Sequence, residues 1–201
     1  MRIRATLFVA LLGTALSGVA FGQQAATTTQ PKAPSGLSFA YDAPHGQLTA
    51  NGLAVKLNPD TADTAPITGT VKITINLTVK TTVPTGAKVP CSAIVIGGAI
   101  DTTALSLEGG IETVSGYATA GPKAGSMICS LSIPYEWTVV TVSSLASTEA
   151  TSTTVDAMVI AFAAAIVDSN GVTQRETIQI GGVQALPTNG KTTTASYAAT
   201  L

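Results

Sequence analysis

Residues 70–79 read TVKITINLTV. Val71, Ile73, Ile75, Leu77 and Val79 are apolar; Lys72, Thr74, Asn76, Thr78 and Lys80 alternate with them and are polar. Successive side chains of a strand point to opposite faces, so the pattern describes a half-buried strand with one wet face. A helix would spread the same apolar residues around its whole circumference. Pro84 and Gly86 then break the chain.

Working outward, residues 89–96 (VPCSAIVI) read as a second strand ended by Gly97-Gly98. Residues 102–107 and 111–118 follow as short strands separated by Gly109-Gly110, with Gly116 as a bulge and residues 120–125 as a loop. From 127 to 141 the apolar residues fall on odd positions: Met127, Cys129, Leu131, Ile133, Tyr135, Trp137 and Val139. A straight strand there directs Cys129 and Trp137 into the core together. Pro134 has no N–H to give a ladder, which implies an edge or a bulge at that point.

The run from Ala157 to Val167 is apolar throughout and open to two readings. A helix would have to be buried on every side. A central strand would carry Met158, Ile160, Phe162 and Ile166 on one face and small residues on the other. Asp168-Ser169-Asn170-Gly171 is a hairpin signal, and residues 172–180 return with polar residues spaced along them, which favours the strand. Gly181-Gly182 and residues 187–190 read as loops, and residues 193–201 as a terminal strand. Upstream, residues 37–41 form a short apolar segment. Residues 47–56 carry Asn51-Gly52, the pair a type I′ hairpin turn demands. Residues 57–66 and 143–154 read as loops.

The total is nine or ten short strands with no convincing helix. An all-β, antiparallel β-sandwich of about 165 residues is expected, immunoglobulin-like in its Cys pair and single inward Trp. Trp137 follows both cysteines, which departs from the order in antibody domains.

The N-terminus reads as an address. Met1 to Arg4 is positively charged, residues 5–20 carry no charge, and Ala20-Phe21-Gly22 offers small residues for cleavage. This is the pattern of a secretory signal peptide, and 16 uncharged residues fall short of the roughly 20 that span a bilayer as a helix. The expected organisation is a signal peptide over 1–22, a flexible leader over 23–35 (QQAATTTQPKAPS) and one sandwich domain over 36–201. The expected location is secreted, periplasmic or at the cell surface. No membrane span is expected after cleavage.

In an oxidising compartment two cysteines read as a disulfide, so Cys91 and Cys129 are expected to pair. Closing a loop of that length stabilises a fold by at most roughly 3.5–4 kcal/mol in the chain-entropy picture.

The chain has 201 residues, 10 basic and 11 acidic, and only 10% are charged, against roughly 25% in a typical soluble domain. It carries 32 Thr, which suit wet strand faces without adding charge. No basic face is available for nucleic acid. The phosphate-binding, dinucleotide-binding and G-x-S-x-G motifs are absent from the sequence. His45 is the only His and sits in a turn-like Ala43-Pro44-His45-Gly46, so it reads as a solvated loop residue rather than a catalytic base. Glu108 and Glu112 flank two glycines, and Asp60 and Asp63 share a loop whose oxygens could hold Ca²⁺. Tyr135 and Trp137 could form a sugar platform, but their parity with Cys129 argues for core burial. Asn76-Leu77-Thr78 fits a glycosylation acceptor but lies mid-strand. No enzyme activity, cofactor or metal is expected.

The stretch from Gly69 to Cys91, with Gly-Thr-Val, alternating apolar residues and then a Cys, resembles the N-terminal part of chaperone–usher pilins. The leader and the final Ser196-Tyr197-Ala198-Ala199-Thr200-Leu201 are similar too. The resemblance implies self-association by strand donation, although the leader lacks the alternating apolar residues of a donated strand. A structural or adhesive exported protein is the leading expectation. A pilin-like subunit and a sugar- or calcium-binding module are the alternatives.

Overall fold

The computed structural model describes residues 38–51, 66–103, 106–107, 112–123, 126–138 and 152–201. The expected signal peptide and leader, Gly52 of the Asn-Gly turn, Asp60, Asp63, Glu108 and Gly109-Gly110 lie outside them.

The described residues form strands and no helix. In chain order these are β1 (Ser38–Asp42), β2 (Gln47–Asn51), β3 (Ile67–Thr78), β4 (Pro90–Asp101), β5 (Ser106–Leu107), β6 (Glu112–Thr119), β7 (Gly121–Lys123), β8 (Ser126–Trp137), β9 (Thr154–Val167), β10 (Thr173–Ala185) and β11 (Lys191–Thr200). One sheet has the order β11-β3-β8-β7. A second has the order β10-β9-β4, with β5 and β6 sharing the far edge of β4. A third sheet is the hairpin β1-β2.

The two larger sheets make a sandwich because their alternating residues meet. Val71, Ile73, Ile75 and Leu77 of β3 and Cys129, Leu131, Ile133 and Trp137 of β8 pack against Cys91 and Val95 of β4 and Met158, Ile160 and Phe162 of β9. The apolar run from Ala157 to Val167 is a central strand, and its large residues face this core as its parity required. Its small-residue face is not wet. Ala161 and Ala163 lie with Ile94 and Ile96 under Phe39 and Leu48 of the β1-β2 hairpin, which adds a third layer. Coverage on both faces explains why β4 and β9 read as nearly continuous apolar runs.

The hairpin joining β1 and β2 turns at Ala43–Gly46, the segment expected to turn, where the Gly46 N–H donates to the Ala43 carbonyl at 3.1 Å and Gly46 takes a φ of 67°. Several other local expectations are corrected. Gly97-Gly98 does not end β4, because Gly97 is the surface on which the Trp137 ring lies. Gly116 is no bulge; it pairs in register with Ala93 and leaves room for the Ile133 side chain. Gly181-Gly182 is not a loop but a register shift inside β10. Residues 121–123, within the expected loop, pair with β8 as β7. Pro134 pairs with Thr70 on one side, while on the other β7 reaches only Ser126 to Ile128, so among the described residues no strand pairs with Pro134 there, in keeping with the expected edge position.

The sandwich is not wholly antiparallel. β11 pairs parallel with β3 over ten residues, from Lys191 opposite Gly69 to Thr200 opposite Thr78. Chain direction is the cause. Cys91 at the start of β4 meets Cys129, which is opposite Ile75 near the end of β3. Gly97, further along β4, meets Trp137, which is opposite Ile67 at the start of β3. β4 therefore runs against β3. β9 is antiparallel to β4 and β10 to β9, so β10 also runs against β3. One reversal at Thr188–Lys191 brings β11 back in the sense of β3.

Candidate functional site

The structure brings Cys91 and Cys129 to disulfide distance across the two sheets, with a Cα–Cα separation of 6.5 Å, and both are fully buried. Near this end of the sandwich, on the outer face, lies an open groove of about 370 Å³. Its walls are Pro44 and His45 of the β1-β2 turn on one side and Tyr117 and Thr119 of β6 on the other, with Lys88 and Pro90 between.

The alternation of β6 sets this wall. Val114 and Ala118 pack towards the inner core, so Tyr117 stands on the outer face, 70% exposed. The buried Ser92 holds both walls: its hydroxyl donates to the Gly116 carbonyl at 2.9 Å and accepts from the Leu48 N–H at 3.2 Å. Lys88 is anchored through its backbone, whose N–H and C=O both pair with Val167. His45 Nδ1 lies 2.8 Å from Asp42 Oδ2, an exposed hydrogen bond that orients the ring and leaves Nε2 for other partners. Among the described residues no carboxylate lines the groove.

The other candidates fall elsewhere. Tyr135 and Trp137 stack at a centroid distance of 4.5 Å and are 4% and 0% exposed, so they form core and not a surface platform. Burial pushes the Tyr135 phenol up. Asp168 caps the β9-β10 turn: it accepts from the Asn170 and Val172 N–H groups at 2.9 Å and from Gln174 Nε2 at 2.8 Å. The Val172 N–H above all, with the Asn170 N–H and Gln174 and against the opposing effect of desolvation, holds its carboxyl below the usual range. Asn76 Nδ2 donates to Ser196 Oγ and the Tyr197 carbonyl, which ties β3 to β11. Glu112 lies in β6. Among the described residues no three His, Cys, Asp or Glu gather as metal ligands, and no helix is long and apolar enough to cross a membrane.

Tyr117 is the residue that the sequence pattern contains but does not single out. Its parity opposite Val114, Gly116 and Ala118 places it on the wet face, yet nothing local links it to His45 or Lys88. The chain matches no family model, no curated protein and no solved structure.

Proposed function

We propose that this chain is an exported, non-enzymatic β-sandwich protein with a structural or adhesive role in the periplasm or at the cell surface. The observation that carries the reading is the ten-residue ladder between β11 and β3. It fills the edge of β3 with the chain's own last strand and leaves the sandwich core covered. The signal-peptide pattern of residues 1–22 and the buried cysteine pair support export to an oxidising compartment.

The order of strands supports an immunoglobulin-like assignment. In that assignment β3, β8 and β7 would correspond to B, E and D, and β4, β9 and β10 to C, F and G, with β6 as C′. β11 would stand at the A position, but parallel to β3 where the sheet of antibody domains is antiparallel. The cysteines then join C to E, where antibody domains join B to F. The ladder also weighs against the pilin-like alternative, since a donated strand would have to displace β11.

The test is cell fractionation with N-terminal sequencing. The reading expects a mature chain beginning at Gln23 in the periplasmic or surface fraction, without free thiols. A chain that keeps Met1 and stays in the cytosol with reduced cysteines overturns it.

A further inference from the structure

We infer that the groove between the β1-β2 turn and β6 is a saccharide site that prefers sugars bearing a carboxylate, such as hexuronates. The inference deepens the adhesive side of the proposed function and rests on it.

Four features converge there. Tyr117 offers an aromatic ring that is 70% exposed on a strand held in register with β4. A pyranose presents a face of C–H groups that covers such a ring, while its hydroxyls stay wet. Lys88 brings a cation, and among the described residues no ion pair engages it. Among the described residues no carboxylate lines the groove, and the nearby Asp42 is engaged by His45, so that charge favours an anion. His45, fixed by Asp42, and Thr119 supply polar atoms on opposite walls for sugar hydroxyls. The Ser92 bridge fixes the spacing between the walls before any ligand arrives. The volume of about 370 Å³ sits at the small end of the roughly 300–1,000 Å³ of small-molecule sites, which suits a short saccharide rather than a folded partner.

The ring and the charge make separable contributions. Tyr117 should carry affinity for any pyranose of the right shape, and Lys88 the preference for the acid. Because both side chains reach solvent, replacing them should leave the fold intact.

The test is a titration of the isolated, oxidised protein with digalacturonate and with its dimethyl ester, followed by NMR shifts of Tyr117 and His45. The acid is expected to bind at least fivefold more tightly than the ester. Tyr117→Ala should weaken both at least tenfold, and Lys88→Gln should bring acid and ester to the same affinity. Unfolding curves of the two variants should match that of the parent. Binding that survives Tyr117→Ala, equal binding of acid and ester by the parent, or no shift at tens of millimolar overturns the site. A chain that is exported yet fails this titration loses only the site; a chain that is not exported loses the adhesive reading whatever the titration shows.

Discussion

The Tyr197 ring on β11 lies across Gly181 on β10, so close that a methyl group on Gly181 would enter the ring. The same ring stacks on Phe162 of β9 at 4.8 Å, and its hydroxyl accepts from Gln184 Nε2 at 2.9 Å. It thus ties the last strand of one sheet to the edge of the other. Tyr135 over Gly69 and Trp137 over Gly97 repeat the device. With aromatics at only 4% of the chain, these few rings are set where a missing Cβ lets them lie flat.

Gly181→Ala should therefore destabilise the fold by about 1–3 kcal/mol, the usual cost of overpacking. Gly182→Ala is the control, since a Cβ there meets nothing within 4 Å. Thermal unfolding should show a drop of roughly 2–4 °C per kcal/mol for the first and almost no change for the second.

Both cysteines are fully buried at disulfide distance, so a bond between them should resist reduction while the protein is folded. Thiol labelling should find no reactive sulfur in native protein treated with mild reductant, and two per chain once it is unfolded and reduced. Replacing both with Ala should lower stability by up to roughly 4 kcal/mol.

The lowered pKa of Asp168 makes a prediction for acid. Its carboxylate is favoured in the folded state, so its contribution is present above the unfolded value of 3.8 and fades as pH falls through the lower folded value. The stability difference between parent and Asp168→Ala should hold steady through neutral pH. It should vanish once the carboxyl is protonated, as read from denaturant unfolding at a series of pH values.

Tyr41 makes the converse prediction for alkali. Burial first, then the charges of Glu176 and Asp42, raise its pKa, and its hydroxyl is buried without a hydrogen-bond partner among the described residues. A raised phenol pKa contributes stability below the unfolded value of 10.0 that is lost as pH climbs above it. Tyr41→Phe should be at least as stable as the parent near neutrality, because it removes an unsatisfied polar group. Above pH 10 its unfolding midpoint should fall less steeply than the parent's.

The alternation from Val71 to Leu77 and the parity of Met158, Ile160 and Phe162 are local patterns, and they were enough for the strands and the sandwich. Cys129 and Trp137 likewise share a face because two-residue periodicity carries from one to the other. The glycines were misleading for a physical reason. Gly97, Gly116 and Gly181 have the composition of a strand break, but each makes room for a side chain from another strand, which no local window contains. The parallel seat of β11 depends on chain direction across four strands. The groove is equally non-local: Pro44 and His45, Lys88 and Tyr117 come from separate segments.

β11 covers the edge of β3 within the same chain, so the sandwich is expected to stand without a strand from a second copy. Light scattering of the native protein, taken from the compartment where it accumulates, tests this most directly. A single species with the mass of one mature chain is the predicted result. A polydisperse series of high-mass species, held together without β11 on its own β3, would contradict it.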